Sequence, residues 1–281
     1  MKALTTIDYT TYRLLKFLKS EDDFRLLILG QIKSGKSAFM YHLAELFHKL
    51  YPKKEIFVVN FPEEFSDLLP SWIKTINRYE ISDVNDVLLL FEESVLVAPS
   101  RSWYTSFNKR LVQLVSLSAH KKQRHIYVIQ NARLLDSLVI SLMSALAIKR
   151  YNYINYLMER KEIKELVSTS WIIYEENNIT SDLDIKRHIV LFEICEYPIL
   201  YRYPLPSFWS EELSRVWHIY SFKIREKYKI TETLTERVME IMKTKDIKKP
   251  SDLYPYFPNA NRRSLNVIFY RVKKRLAWGI T

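Results

Sequence analysis

The sequence contains little glycine and almost no cysteine, since its 281 residues include 3 Gly, 10 Pro and 1 Cys. This composition excludes collagen-like chains and small domains held together by disulfides. A hydrophobic content of 48% excludes a chain that is disordered throughout. Cys195 lies in an apolar run, so we expect a buried thiol in a reducing cytoplasm rather than a nucleophile. The length suits one large domain and a small one.

Long apolar runs are also missing. The longest candidate, 86–98, is interrupted by Glu92 and Glu93, and no run approaches the roughly 18 apolar residues that a membrane span needs. Residues 1–10 include Asp8 and lack the apolar stretch of a signal peptide. We therefore expect no membrane span and a cytoplasmic location, in the host cytoplasm if the protein is viral.

The positive charge is concentrated near the end of the chain. The net charge is +11, and residues 221–281 hold 15 Lys and Arg against 6 Asp and Glu, which is +9. Residues 1–220 therefore carry only +2. A solvated basic surface is the simplest explanation, but cations clustered in one segment also suit a phosphate backbone. The predicted partner is nucleic acid.

Two of the glycines form the clearest motif. The stretch from Gly30 to Ser37 reads G-x-x-x-x-G-K-S, after an apolar strand and before a segment of helical periodicity. Glycine lets the backbone approach phosphate, while Lys36 supplies a cation to the β- and γ-phosphates and the Ser37 hydroxyl can ligate Mg²⁺. The alternative is an ordinary turn between strand and helix. We predict ATP and Mg²⁺ as cofactors, with nucleotide contacts from Gly30, Gln31, Ile32, Lys33, Ser34, Gly35, Lys36, Ser37 and Ala38.

ATP hydrolysis also needs carboxylates at the end of a neighbouring strand. The segment 86–93 ends in Glu92, which we assign to the metal, and Glu93, which we assign to the attacking water. Glu92 is one methylene longer than the Asp usual at such a position. A later apolar segment ends in Glu175 and Glu176 and is the alternative, although its late place in the chain favours the first pair. Either pair could instead be solvated.

A third polar strand end follows the segment 124–130. The amide of Gln130 can hydrogen-bond the γ-phosphate or the attacking water, and Asn131 is the second candidate for this role. Amides at strand ends also cap helices, so the alternative is a purely structural role.

In this order the motifs resemble the HerA/FtsK superfamily of DNA-pumping ATPases, which includes Zot-like proteins and viral genome-packaging ATPases. The resemblance rests on 30–37, on the acidic strand ending Glu92-Glu93-Ser94, on the loop 99–101 and on the strand-end Gln130, and it covers about 20–220. The stretch 203–214 also looks like the end of such a domain.

The resemblance implies a homo-oligomeric ring, usually a hexamer, that acts on duplex DNA. It also implies an arginine that reaches the γ-phosphate of the neighbouring subunit, for which Arg124 is the first candidate, followed by Arg101 and Arg110. A surface or strand-edge role is the alternative for Arg124. A capsid or a membrane-associated portal becomes a candidate partner, and an archaeal virus or plasmid a candidate source.

The predicted fold is α/β over 1–220, a P-loop NTPase with a mainly parallel sheet flanked by helices. Alternating strands and helices favour this arrangement, with ligands at the carboxyl ends of the strands. We predict strands near 25–29, 55–60, 86–92, 124–130, 169–174 and 188–195, and helices near 36–50, 104–119 and 135–166.

Residues 221–281 are predicted to form a small all-α or winged-helix domain with helix-turn-helix character. A helical connector at 208–230 precedes candidate helices at 234–244, 251–256 and 261–276. The last helix has an apolar face and a basic face. Docking of this helix on the ATPase core or on a protein partner is the alternative to DNA binding. The apolar face holds Leu265, Ile268, Phe269 and Val272; we assign Arg262, Arg263 and Asn266 to a DNA groove and Arg271, Lys273 and Lys274 to phosphates.

Three functions compete on this evidence. The first is a motor, an ATP-hydrolysing DNA translocase of the packaging type. The second is an initiator-like AAA+ switch in which ATP controls DNA binding, and the third is a DNA-binding regulator whose nucleotide site is structural. A kinase or nucleoside-binding enzyme also fits the phosphate loop but leaves the basic domain without a role.

Overall fold

The computed structural model describes residues 8–19, 23–77, 79–92, 115–135, 137–245, 247–258 and 260–277. The chain divides into two compact units, Met1–Val216 and Trp217–Thr281. Among the helices within those ranges, none is both long and apolar enough to cross a membrane.

The first unit is built on an eight-stranded sheet in the order β3-β2-β4-β5-β1-β6-β7-β8. Neighbours from β3 through β6 are parallel, whereas β7 and β8 each run antiparallel to the preceding strand. The predicted α/β fold with a mainly parallel sheet is therefore confirmed. The strands are β1 Arg25–Leu29, β2 Ile56–Val59, β3 Ile73–Ile76, β4 Leu88–Phe91, β5 Arg124–Ile129, β6 Ala145–Ile148, β7 His188–Phe192 and β8 Ile199–Arg202.

Eight α-helices are described. They are α1 Tyr9–Leu18, α2 Lys36–Leu50, α3 Ser137–Ser141, α4 Tyr153–Leu157, α5 Lys161–Glu176, α6 Asp182–Arg187, α7 Glu211–Thr244 and α8 Arg262–Ala277. Short 3-10 segments lie at Glu63–Leu68, Ile81–Asp83, Ala132–Leu134 and Pro250–Tyr256.

The central strands are continuous apolar runs because helices cover the parallel sheet. Every residue of β2, β4, β5, β6 and β7 is buried. On one face the core joins Leu29, Phe91 and Ile129 to Val167 and Tyr174 of α5. Leu29, Phe91 and Ile129 are the last residues of β1, β4 and β5, so this core holds the carboxyl ends of the three strands in place.

Two predicted elements of the first unit are wrong. The predicted strand at 169–174 lies inside α5, where Val167 and Tyr174 are buried while Ile172 is 57% exposed, the pattern of an amphipathic helix. The predicted helix at 135–166 contains the buried strand β6 and three helical segments. Strands β3 and β8 were not predicted, and the predicted helix at 104–119 lies mostly outside the described residues.

The second unit is helical in its described part. Val238 of α7, Leu253 and Phe257 pack with the buried residues of α8 in one core. The predicted connector 208–230 and helix 234–244 are a single helix, α7. No strand occurs in the described residues from 217 to 277. The predicted helical character of the C-terminal region is confirmed, while the winged helix and a separate DNA-binding domain stay predictions.

Cys195 follows β7 and is buried, as predicted. Burial raises the pKa of its thiol, which keeps the group protonated and poorly nucleophilic.

Candidate functional site

Four strand ends meet at one edge of the sheet. The register pairs Leu29 of β1 with the last residues of β5 and β6, so Gly30, Gln130 and Lys149 follow these strands side by side. Glu92 follows β4, which pairs with the far side of β5. The strand that ends at Gln130 therefore lies between the strand of the phosphate loop and the strand of Glu92. Three residues predicted from separate motifs share this edge.

Both loop glycines are required by their surroundings. Gly30 would place a Cβ 2.4 Å from the Cβ of Lys149. Gly35 caps α2 with φ at 89°, and its Cβ would lie 2.5 Å from the backbone oxygen of Lys186. Any other residue at these positions would displace the loop, because real Cβ atoms do not approach so closely.

The loop presents groups of the kinds that can bind phosphate. Lys36, at the start of α2, is only 6% exposed and its Nζ donates to the backbone oxygen of Gln31 at 2.7 Å. The Oγ of Ser34 is buried without a hydrogen-bond partner among the described residues. Ser37 is half-buried in the first turn of the same helix. A buried cation, a helix N-terminus and a buried hydroxyl in one loop suit a bound polyphosphate.

Glu92 is held on the side of the sheet edge near α2. It is 3% exposed, and its carboxylate accepts a hydrogen bond of 2.8 Å from the hydroxyl of Tyr41. Burial and the neighbouring carboxylate raise the pKa of Tyr41 well above its usual value, so the tyrosine remains a donor. Tyr41 lies four residues after Ser37 on α2, hence on the same helix face. Glu93 lies outside the described residues.

The alternative acidic pair is not at a strand end. Glu175 and Glu176 close helix α5, and both are exposed. Glu175 pairs with Arg150 at 3.9 Å. The idea that these two residues end a strand beside the phosphate loop was wrong, because their apolar predecessors form a helix face.

Of the two amides that follow β5, Asn131 has the capping role, and the role of Gln130 towards the γ-phosphate stays a prediction. Asn131 caps a 3-10 turn by accepting from the backbone N–H of Arg133 at 2.9 Å, which is the structural role. Gln130 is half-buried at the sheet edge, and its backbone oxygen lies 3.2 Å from the hydroxyl of Tyr151. That hydroxyl also donates to the buried Glu159 at 2.9 Å. Tyr151 and Glu159 thus hold the loop that carries Gln130.

Lys149 and Tyr203 were not predicted to belong to the site. Lys149 is fully buried, and its Nζ donates to the backbone oxygens of Lys186 at 2.9 Å and His188 at 2.7 Å and to the Tyr203 hydroxyl at 2.6 Å. Burial, Lys36 and Arg187 all lower the pKa of Lys149.

The Tyr203 hydroxyl connects this lysine to the phosphate loop. It lies 2.8 Å from the backbone oxygen of Gly35 and 2.7 Å from that of Lys186. A lysine directly after an apolar strand ordinarily suggests a solvated side chain, so the sequence offers no signal for this network.

Arg124 is not placed to reach another subunit, so its prediction as the arginine acting in trans was wrong. It begins β5, at the end of the strand opposite Gln130, and is 1% exposed. Its guanidinium pairs with Asp86 at 3.0 Å and lies over the ring of Phe47 at 5.5 Å. Burial raises the pKa of Asp86, but hydrogen bonds from Lys54 and Arg124 outweigh this and lower it. Arg101 and Arg110 lie outside the described residues.

Helix α8 has the two faces that the sequence predicts. Leu265, Ile268, Phe269 and Val272 are buried against the rest of the second unit, so the apolar face is already covered within that unit. The predicted cations are exposed: Arg262, Arg263, Arg271, Lys273 and Lys274. Asn266 is half-buried and accepts a hydrogen bond from the Tyr254 hydroxyl at 2.9 Å.

No family model matches the chain, and no curated protein matches it. Among solved structures it is similar to the DNA-packaging ATPase B204 of Sulfolobus turreted icosahedral virus, at 13% identity and a TM-score of 0.47, covering 66% of this chain and 100% of that one. The conjugation coupling protein TcpA of pCW3 is 11% identical over 65% of this chain and 60% of that one, with a TM-score of 0.44.

The N-terminal domain of zonular occludens toxin from Neisseria meningitidis is 12% identical, with a TM-score of 0.40, over 70% of this chain and 98% of that one. At these identities the likenesses assign no role to any residue of this chain.

Proposed function

We propose that the protein hydrolyses ATP and uses the energy to move duplex DNA. The observation that carries the proposal is the shared sheet edge, where Lys36 and the start of α2 lie beside Gln130 and Glu92. A polyphosphate on the loop has a cation and backbone N–H groups on one side and polar strand ends on the other.

Ser37 and Glu92 are the residues that would hold Mg²⁺. The Tyr41 hydroxyl fixes the Glu92 carboxylate, and oxygen ligands of this kind are the ones that Mg²⁺ prefers. Among the described residues, no three His, Cys, Asp or Glu side chains gather into a metal cluster. This fits an ion held largely by phosphate and water. When bound, Mg²⁺ would neutralise charge on the β- and γ-phosphates.

The remaining polar residues would act on the attacking water and the γ-phosphate. Lys36 stabilises negative charge on the transferred phosphoryl group by leaving the Gln31 carbonyl for phosphate oxygens. Gln130 orients the water or reads the γ-phosphate from the neighbouring strand end. Glu93 follows Glu92 in the chain and accepts the proton of the water. Arg101 and Arg110 are the candidates that remain for an arginine supplied by a neighbouring subunit in a hexameric ring.

The exposed basic face of α8 supports DNA as the partner. Its apolar face is covered within its own unit, and the charged ends of its described basic residues lie at the exposed surface. Arg262, Arg263 and Asn266 would approach a groove, while Arg271, Lys273 and Lys274 would contact phosphates. We propose that residues 1–220 form an ATPase domain and residues 221–281 a DNA-binding domain, and that the protein acts in the cytoplasm. A capsid or a portal at a membrane would receive the DNA.

The test is ATP hydrolysis with and without long duplex DNA of arbitrary sequence. We expect strong stimulation in the wild type and none in Lys36→Ala, with Lys53→Ala as a control because Lys53 is exposed beyond α2. Slow hydrolysis with a preference for one DNA sequence would favour the ATP-controlled switch. Hydrolysis that is absent, or that ignores DNA, would overturn the motor.

The role of α8 is tested by the salt dependence of DNA binding. The Arg262→Ala/Arg263→Ala variant should lower the slope of log affinity against log salt by about 2, since each cation displaces about one counterion. Lys53→Ala/Lys122→Ala removes the same charge from exposed positions of the first unit. Equal slopes for the two variants would contradict a DNA-binding face on α8.

A further inference from the structure

We infer that a groove beside the phosphate loop, between α6 and the end of β8, binds the base and ribose of the nucleotide. This inference rests on the proposed ATP binding and adds where the nucleoside half of the ligand lies. The groove is lined by Leu183, Asp184, Arg187, Arg202, Tyr203 and Pro204.

The antiparallel strands bring this groove to the phosphate loop. Since β8 runs parallel to β6, its end lies at the same sheet edge as Gly30, and so does the start of β7, which α6 precedes. The backbone oxygen of Lys186 would be 2.5 Å from a Cβ on Gly35, and the Tyr203 hydroxyl is 2.8 Å from the Gly35 oxygen. The groove therefore begins where the phosphates would end.

The lining residues suit a nucleoside. The cavity has a volume of about 470 Å³, within the range of ordinary small-ligand pockets. Leu183 is 70% exposed and, with Pro204, offers apolar surface to a flat base. Asp184 supplies two carboxylate oxygens that ribose hydroxyls could donate to. One of these oxygens already accepts a hydrogen bond of 2.6 Å from the Ser181 hydroxyl.

The groove also contains two arginines, Arg187 and Arg202, but its other lining residues do not suit a second phosphate. Arg187 and Arg202 can stack on a base or pair with the first phosphate. A groove for a nucleic-acid backbone would not place the Asp184 carboxylate and two apolar side chains among its cations. The mixture instead matches a ligand with one charged end and one flat, polar-edged end.

Photolabelling with 8-azido-ATP locates the base directly. After irradiation of the full-length protein and proteolysis, we expect the label on peptides that contain 183–187 or 202–204, and its loss in the presence of excess ATP. Labelling confined to other peptides would overturn the inference. The readout reports where the base lies and does not depend on hydrolysis.

Binding of ATP and of inorganic tripolyphosphate separates the two halves of the ligand. Leu183→Ala/Pro204→Ala should weaken ATP binding by roughly tenfold through lost apolar contact, while tripolyphosphate binding changes less than about twofold. Leu138→Ala/Pro52→Ala truncates exposed residues elsewhere and should alter neither. Unchanged ATP affinity in the first variant overturns the groove alone. Failure of the wild type to bind either ligand overturns the proposed function and the groove with it.

Discussion

The hydroxyl of Tyr203 provides a sharp test of how the phosphate loop is held. Tyr203→Phe keeps the ring, which is 2% exposed, and removes the oxygen that Lys149 contacts at 2.6 Å. The Gly35 oxygen still accepts from the N–H of Phe39 at 3.1 Å, and the Lys186 oxygen still accepts from Lys149 at 2.9 Å. The main loss is one buried hydrogen bond from Lys149, and leaving that buried donor without its partner costs about 2 kcal/mol of unfolding free energy.

The same change should loosen the loop. The Gly35 oxygen loses its hydrogen bond from Tyr203, the residue that follows β8, so we expect ATP affinity to fall roughly fivefold, equivalent to about 1 kcal/mol. Stability is measured by urea denaturation and affinity by calorimetric titration.

Tyr127→Phe is the matched control, because this buried tyrosine also loses a hydroxyl partner, His125 Nδ1 at 3.0 Å, which is on β5 rather than on the loop. Equal ATP affinities for the two variants would refute the role assigned to Tyr203.

Three further predictions follow from the buried contacts. Gly30→Ala should lower the melting temperature and abolish ATP binding, since the new Cβ meets Lys149 at 2.4 Å; a normal melting curve with normal ATP titration would contradict this. Arg124→Met should destabilise the fold by only about 1 kcal/mol in urea denaturation and leave hydrolysis intact, because Asp86 is 47% exposed and keeps its ion pair with Lys54 at 2.6 Å; a stable variant that lost hydrolysis would restore the trans role. Burial lowers the pKa of His125 to about 3, so the folded protein keeps this imidazole neutral while the unfolded chain takes up a proton below about pH 6.5. The contribution of neutral His125 to the free energy of unfolding is therefore fully present above pH 6.5. It is lost by roughly 1.4 kcal/mol per pH unit as the pH falls towards 3. Between pH 7 and pH 4, the melting temperature of His125→Gln should fall less than that of the exposed control His120→Gln. Equal falls in the melting temperatures of the two variants would contradict this.

The phosphate loop was predictable because its chemistry is local. Gly30, Gly35 and Lys36 are fixed by spacing along the chain, and the adjoining strand and helix have clear periodicity. The polar ends of β4 and β5 were also visible in the sequence. Parallel strands with buried faces end at one edge, so residues that follow them come together.

The errors arose where tertiary packing outweighed local preference. Strand β6, Ala145–Ile148, is short and contains good helix formers, and only its place between β1 and β7 makes it a strand. Residues 171–174 are aromatic and β-branched, which favours a strand, yet they lie in a helix whose other residues supply the buried face. The hydrophobic pattern of a segment does not show which neighbouring strand or helix will pack against it.

The burial of charged residues was equally invisible. Arg124 meets Asp86 and Lys149 meets Tyr203 across long stretches of sequence, and neither pair has a local signature. The trans role given to Arg124 failed for this reason, since a charged residue at a strand end is ordinarily solvated.

Displacement of a third strand from a DNA triplex tests the motor most directly. The full-length protein is loaded on the duplex arm, and release of the third strand is followed over time. We expect release with ATP, and none with a non-hydrolysable analogue or with Lys36→Ala. ATP hydrolysis stimulated by DNA without release of the third strand would contradict translocation and would leave an ATP-controlled DNA-binding switch.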